Sequence, residues 1–392
     1  MNISIDREYV VQTLQDMVRI NSVNAGLVPG GAGEQEMAEY MGAQMRALGL
    51  EVSVYELAPR QWNTVGVLKG SAGGRSLMLT GHMDTVGVGE MTDPFSGEIR
   101  DNRLYGRGAC DMKCGLAAIL GAVKALRDAG IKPAGDLYVA GAADEEYLSS
   151  GSEQLSAAHR VDGVVVAEPS GFTIVRAHKG FIWFEVKTFG VAAHGSDYEG
   201  GVDAITHMGR FLVELDKLAH SQQNSQPYPL LGPPSLHASL IEGGIELSTY
   251  PSACTVKIEW RTVPGQTEEQ LRAMLQEIID RLQAEDAAFK AEVKTLFVRY
   301  PFQVPEDAPI VDCVRRQAQS VRGEEPEFIG MGGWADTSLF ERAGMDALMF
   351  GPEGDGAHAS EEWADLEALV SAAGVFAAVI LDFCGQDPAQ AR

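Results

Sequence analysis

Histidines and carboxylates gather at the ends of short apolar runs along this 392-residue chain. Gly81-His82-Met83-Asp84-Thr85 follows SLMLT at 76–80. Gly106-Arg107-Gly108-Ala109-Cys110-Asp111 leads into a helical pattern. Asp144-Glu145-Glu146 follows DLYVAGA at 136–142, and Glu168-Pro169 follows GVVVA at 163–167. Near the C-terminus, the apolar stretch 346–350 runs through Gly351-Pro352-Glu353-Gly354-Asp355-Gly356-Ala357 to His358. Two histidines and three carboxylates can hold two divalent ions if one carboxylate bridges them. Imidazole and carboxylate without thiolate suit zinc, cobalt or manganese. Two such ions at roughly 3.5–4 Å clamp a hydroxide and polarise a carbonyl for hydrolysis. A metal-binding histidine usually donates its other N–H to an acceptor such as a carboxylate, and Asp84 stands two residues beyond His82. Glu145 and Glu146, adjacent on an extended segment, point in different directions and fit a division between ligand and general base.

For these groups to meet, the chain must bring five distant segments together, and an open parallel sheet does so at the carboxyl ends of its strands. Two amphipathic helices open the sequence. Val10, Leu14, Met17 and Val18 share one face, as do Met37, Met41, Met45 and Leu48. Apolar runs then alternate with helical patterns up to residue 167, the signature of βαβ units. After His178 the pattern changes: 181–189 (FIWFEVKTF) alternates as an antiparallel strand does. A helix at 202–218, strands near 236–242 and 254–261, a helix at 268–284 and a strand near 289–297 follow. That β-α-β-β-α-β order has the size of a domain. The α/β pattern returns with a helix at 310–322, a strand at 346–350 and a terminal helix. The expected fold class is therefore α/β, with a mixed, mostly parallel sheet flanked by helices. Residues 1–178 and 299–392 form the metal-binding domain, and an α+β domain at 179–298 is inserted within it.

A formal charge of −24 excludes a polyanionic partner, so neither nucleic acid nor an anionic membrane surface is expected. No basic and apolar leader is visible at the N-terminus. The longest apolar stretch, 368–381, is broken by Ser371 and Gly374 and reads as a buried helix rather than a span. The five cysteines are scattered and odd in number, which suits structural thiols in a reducing cytoplasm. His159, His207, His220 and His237 lack partners nearby in sequence and read as structural. No Gly-x-Ser-x-Gly supports serine chemistry, and the glycine clusters lack the Gly-x-Gly-x-x-Gly spacing of a dinucleotide site.

Taken in order, GHMDT, GRGACDMK, ADEE, AEP and GAHASEEW resemble the dinuclear zinc amidohydrolase family of acetylornithine deacetylase, succinyl-diaminopimelate desuccinylase and carboxypeptidase G. The resemblance covers nearly the whole chain, the inserted domain included. It implies two divalent ions, zinc first and cobalt or manganese next, with Asp111 bridging. His82 and Glu168 would complete one site, and Glu146 and His358 the other. It further implies Glu145 as general base, metal-bound hydroxide as nucleophile, and Asp84 as the support of His82. In the inserted lid, which implies a homodimer, His194 would reach the partner subunit's site and stabilise the oxyanion. Arg261 would grip a substrate carboxylate, with Lys179 and Gly333 at expected substrate contacts. The implied function is hydrolysis of the amide bond in a small N-acylated amino acid. The alternatives are dipeptidase or aminopeptidase action or desuccinylation at the same centre, or a metal-binding protein without turnover. Three positions depart from the family's habit: Cys114 replaces a usual Gly, Ser248 a frequent Asn, and Trp334-Ala335 a Thr-containing sequence.

The acidic balance describes the outer surface more than the site. Two divalent ions would offset Asp111, Glu146, Glu168 and Glu145, leaving a pocket able to accept a substrate carboxylate.

Overall fold

The computed structural model describes residues 3–71 and 73–386. Its contacts fall into two units. The larger comprises the described residues up to Arg176, Val304–Ile329 and those from Ala335 onward; the smaller comprises Ala177–Gln303 and Gly330–Trp334.

The chain opens with helices α1 (Arg7–Arg19) and α2 (Gln35–Ala47), followed by the strands β1 (Glu51–Ala58), β2 (Gln61–Leu68), β3 (Leu77–His82), β4 (Glu98–Arg100) and β5 (Arg103–Tyr105). Helix α3 (Cys114–Asp128), strand β6 (Leu137–Ala142), helix α4 (Ser150–Ala158) and strands β7 (Gly163–Val166) and β8 (Ile174–His178) come next. The smaller unit holds β9 (Gly180–Phe189), α5 (Ala204–Gln223), β10 (Ser235–Gly243), β11 (Ala253–Thr262), α6 (Glu268–Glu285), β12 (Lys290–Arg299) and β13 (Phe302–Gln303). The chain ends with α7 (Pro309–Arg322), β14 (Phe328–Met331), α8 (Thr337–Arg342), β15 (Ala347–Met349), β16 (Gly354–Asp355), β17 (Trp363–Asp365) and α9 (Leu366–Phe383).

In the larger unit the sheet runs β1-β2-β6-β3-β7-β15-β8. Its centre is parallel: β3 pairs with β6 and β7, and β15 with β7. The β1–β2 hairpin and the β2–β6 pairing are antiparallel, so the sheet is mixed. Strand β3 is buried along its length, from the apolar Leu77–Leu79 through Thr80 to His82, as suits a central parallel strand. Helices α1, α3, α7 and α9 pack together, and α2 lies against β1 and β2. Gly121 on α3 lets α1 and α9 approach: a Cβ there would come within 2.3 Å of Val10 and 3.3 Å of Ala373. Helix α9 is apolar and long enough, at 18 residues, to cross a membrane, but it is mostly buried among these helices. It is core, as its sequence suggests.

The smaller unit is a four-stranded antiparallel sheet, ordered β10-β11-β9-β12, with α5 and α6 on one face. Inward residues of β9 (Ile182, Phe184, Val186) alternate with outward ones, and Trp260 of β11 is fully buried. Side-chain caps start both helices: Asp203 accepts the N–H groups of Ile205 and Thr206, and Thr267 forms a capping box with Gln270. Phe302 and Gln303 pair with His178 and Ala177 at the unit's edge.

The elements expected from periodicity form within a few residues of their expected bounds. The hairpin β1–β2 and a small sheet ordered β16-β17-β5-β4 were not expected. Strand β1 is half-exposed and rich in polar residues, and the small sheet's strands have only two or three residues. Neither carries a strong alternation. All five cysteines are buried free thiols.

Candidate metal centre

His82 ends β3, Glu168 lies two residues beyond β7, and Asp111 sits in the turn before α3. Glu145 and Glu146 occupy the loop after β6, and His358 the loop between β16 and β17. The sheet's parallel centre thus gathers ligands from strand ends. His82 Nε2 lies 3.0 Å from Asp111 Oδ1 and 3.6 Å from Glu168 Oε1. His358 Nε2 lies 3.4 Å from Asp111 Oδ2 and 3.1 Å from Glu146 Oε2. Two ligand groups result, His82–Asp111–Glu168 and Asp111–Glu146–His358, each with its donor atoms within 4.8 Å of one another. Asp111 belongs to both, one oxygen toward each histidine.

The electrostatics of this cluster call for cations. Burial opposes charge on His82 more than any other influence. Glu168, Asp111 and Glu145 together overcome it and hold its pKa well above the usual value. His358 is pushed up to about 10 by hydrogen bonds with Asp111 and Glu146. Burial raises Glu145, Glu146 and Glu168, with neighbouring carboxylates adding to the effect. Glu146 Oε1 is buried without a hydrogen-bond partner. Unaided, such a set adopts protonated imidazoles on either side of an Asp111 that they hold ionised, with the three glutamates biased towards their neutral forms. Divalent cations replace that protonation and leave the imidazoles as neutral ligands. The donor set therefore fits two divalent ions.

The surrounding contacts give the set its shape. His82 Nδ1 hydrogen-bonds the main-chain carbonyl of Asp84 at 2.9 Å, while the Asp84 carboxylate stays 3.6 Å away. The expected support is therefore made by the Asp84 backbone. The carboxylate is committed elsewhere, accepting the N–H groups of Glu145 and Glu146 at 3.1 Å each. It fixes the loop that carries both glutamates. Asn24 was not legible as a site residue. Its amide donates to Asp84 Oδ2 at 2.7 Å and Asp144 Oδ1 at 3.0 Å, tying the loop after α1 to the same point. Asp144 and His358 adopt positive φ of 66° and 63°, a left-handed region uncommon outside glycine that Asp and His enter more readily than most residues. Asp336, held by Ser152, is pushed up to about 6, chiefly by burial.

Seven of the expected residues, His82, Asp84, Asp111, Glu145, Glu146, Glu168 and His358, are thus brought together in the larger unit. His194, Lys179, Arg261 and Gly333 lie in the smaller unit. His194 is exposed, its Nδ1 2.8 Å from Ser196 Oγ. Arg261 pairs with Glu259 at 2.9 Å and lies over the Phe181 ring. Lys179 donates to the Pro233 carbonyl at 2.6 Å; burial and then Arg261 lower its pKa. Gly333 is exposed beside Met331. Of the departures, Cys114 is buried with its Sγ 3.0 Å from the Cys110 carbonyl, and Trp334 Nε1 donates to the Tyr300 carbonyl at 3.1 Å. Among the remaining histidines, His159 packs on Tyr138 and His207 on Phe289.

A fold that gathers imidazoles and carboxylates around a shared aspartate at strand ends defines a dinuclear metallohydrolase. Residues 78–382 match Peptidase family M20/M25/M40, and the chain belongs to that family. It is 32% identical over 361 residues to acetylornithine deacetylase of Myxococcus xanthus, covering 89% of this chain and 92% of the relative. Two solved structures share its fold. A tripeptidase from Staphylococcus aureus has a TM-score of 0.78 and 21% identity, over 97% of this chain and 99% of that one. A dinuclear metal-binding peptidase of Bacillus subtilis has a TM-score of 0.73 and 15% identity, over 96% and 98%. The protein is a metal-dependent enzyme that hydrolyses amide bonds in small molecules, and its centre takes two divalent ions.

Proposed function

We propose that the chain removes the acyl group from a small N-acylated amino acid, N-acetylornithine first among them, using two zinc ions and Glu145 as proton carrier. The observation that carries this reading is the placement of Asp111 between two ligand groups, with Glu145 on the loop that supplies Glu146. His82 and Glu168 would hold one ion, Glu146 and His358 the other, and Asp111 both. When bound, such ions acidify water and polarise the acyl carbonyl. Glu145 accepts the proton that water loses on attack and passes it to the nitrogen as the C–N bond breaks, so the amine leaves neutral. Asp84 holds the Glu145 N–H and so aims the carboxyl. Zinc fits imidazole and carboxylate donors without thiolate, as do cobalt and manganese. The ornithine preference is supported by the Myxococcus relative.

In the same reading the inserted unit serves as lid and dimer interface. Its edge strand β10 exposes Leu240 (64%) and Ile241 (58%), and the turn beyond it exposes Ile245 and Leu247. An open strand edge with such side chains is suited to pairing with a second copy. His194 would then donate to the acyl oxyanion across the dimer, and Arg261 would trade Glu259 for the substrate carboxylate. Lys179 and Gly333 would line the substrate's far side. Sedimentation as a single chain contradicts the dimer. Buried free thiols support a reducing, cytoplasmic setting.

The test is a substrate panel on zinc- and cobalt-loaded protein: N-acetylornithine, N-acetylcitrulline, N-succinyl amino acids and free dipeptides. Acetylated amino acids should turn over fastest. Glu145→Gln should lower kcat by about 10²–10⁴-fold without changing metal content. Faster cleavage of dipeptides moves the assignment to a dipeptidase or aminopeptidase, and faster loss of succinate moves it to a desuccinylase. Full activity in Glu145→Gln removes Glu145 from the mechanism.

A further inference from the structure

Asp111 and His358 come from segments some 250 residues apart in sequence, yet the second ligand group needs both within a few ångströms. Neither segment is regular at that point: Asp111 has non-helical backbone angles at a kink in the short helical segment Ala109–Lys113, and His358 lies in a loop at positive φ. A buried ion pair joins them. Arg107 Nη1 donates to Glu362 Oε2 at 2.6 Å, with both side chains almost completely buried. What else the two groups bind gives the pair its meaning. The Glu362 carboxylate also accepts the main-chain N–H groups of Gly108, Cys110 and Asp111, each at 3.0 Å. It thereby fixes the backbone that aims the Asp111 side chain. Arg107, on the Asp111 segment, sends Nη2 to the carbonyl of Ala359 at 2.9 Å, the residue directly after His358. The two segments also meet through Gly106 N–H and the Glu362 carbonyl at 3.0 Å. Each segment therefore anchors the other next to its own ligand.

We infer that Arg107 and Glu362 form a cross-brace that positions Asp111 and His358 for the second metal ion. This rests on the two-ion reading given above. A buried ion pair alone is weak grounds for stability, since desolvation offsets much of its attraction. A brace whose hydrogen bonds end on the backbone of a ligand, and on the neighbour of another, acts on geometry. Groups beyond the ligands commonly tune metal affinity by about 10- to 100-fold. The two ends should act differently. Arg107 touches the His358 loop, so its loss should affect the ion held by His358. Glu362 touches Asp111, so its loss should affect both ions.

The test is titration of metal-free protein with Co²⁺ alone, followed by calorimetry and visible absorption, for wild type, Arg107→Lys and Glu362→Gln. Lysine keeps the charge but lacks the planar fork that reaches both partners. Wild type should bind two equivalents. Arg107→Lys should bind one of them unchanged and the other about 10- to 100-fold more weakly. Glu362→Gln should weaken both. Arg107→Lys carries the test by itself if Glu362→Gln does not fold. Two unchanged affinities in Arg107→Lys, even with a lowered Tm, overturn the positioning role and leave the two-ion reading standing. So does equal weakening of both equivalents in that variant. A wild-type protein that binds a single equivalent overturns both.

Discussion

Among single residues, the sequence marks the candidate metal ligands far better than the residues that hold those ligands in place. His82, Asp111, Glu146, Glu168 and His358 stand out as a set rather than singly, because one imidazole or acid after an apolar run has ordinary structural uses and five in order at strand ends do not. Asn24 and Glu362 carry no such mark. One is a polar loop residue and the other half of an acidic dipeptide, and their partners lie 60 to 255 positions away. Asp84 was legible as a residue but not in its action, since neither spacing nor type tells a carbonyl contact from a carboxylate one. Glu34 was also silent. It is fully buried at the start of α2, with Oε2 accepting the Trp62 N–H and Oε1 unpartnered. Burial pushes its carboxyl from 4.5 up to about 8, and the facing carboxylates Asp84 and Asp144 push the same way. Between those values the folded protein keeps a proton that the unfolded chain loses. The associated stability is complete below about 4.5 and is lost as pH rises through about 8. Glu34→Gln, which stays neutral, should flatten the dependence of Tm on pH between 6 and 9 and raise Tm relative to wild type at the alkaline end. Parallel curves for the two proteins contradict this.

Among elements, the parallel strands and long helices were legible because their apolar patterns are continuous. The β1–β2 hairpin and the two- and three-residue strands near His358 were not: the short strands hold too few residues to show a period, and in β1 and β2 polar and apolar residues do not alternate throughout. The packing that aims Glu168 depends on one glycine at the start of α3. A Cβ on Gly115 would stand 2.0 Å from the carbonyl oxygen of Ala167, the residue before Glu168. Helix propensity alone predicts that Gly115→Ala stabilises by about 0.5–1 kcal/mol. The contact is with backbone and cannot be relieved by a side-chain rotation, so overpacking should prevail at a cost of about 1–3 kcal/mol. Thermal unfolding should show a lower Tm, together with weaker uptake of one metal equivalent as the Glu168 segment shifts. An unchanged or higher Tm would show that β7 yields without strain.

For the whole molecule, a net charge of −24 describes the exterior rather than the site. Four carboxylates of the site, Asp111, Glu145, Glu146 and Glu168, balance the charge of two divalent ions, so the centre is near neutral while the exterior remains acidic. The contacts divide the described residues near the change in pattern at residue 178, where parallel βα units give way to alternating antiparallel strands, and they place Gly330–Trp334, distant in sequence, with the smaller unit. Because the ligands come from five separate segments, binding of the ions should also tie the larger unit together and raise its Tm.

The most direct measurement is the titration of metal-free protein with zinc or cobalt while amine release from N-acetylornithine is followed. No turnover is expected without metal, and full turnover once two equivalents are bound. Turnover that persists in metal-free protein, or that is complete at one equivalent with no further ion bound, contradicts a centre built on a shared Asp111.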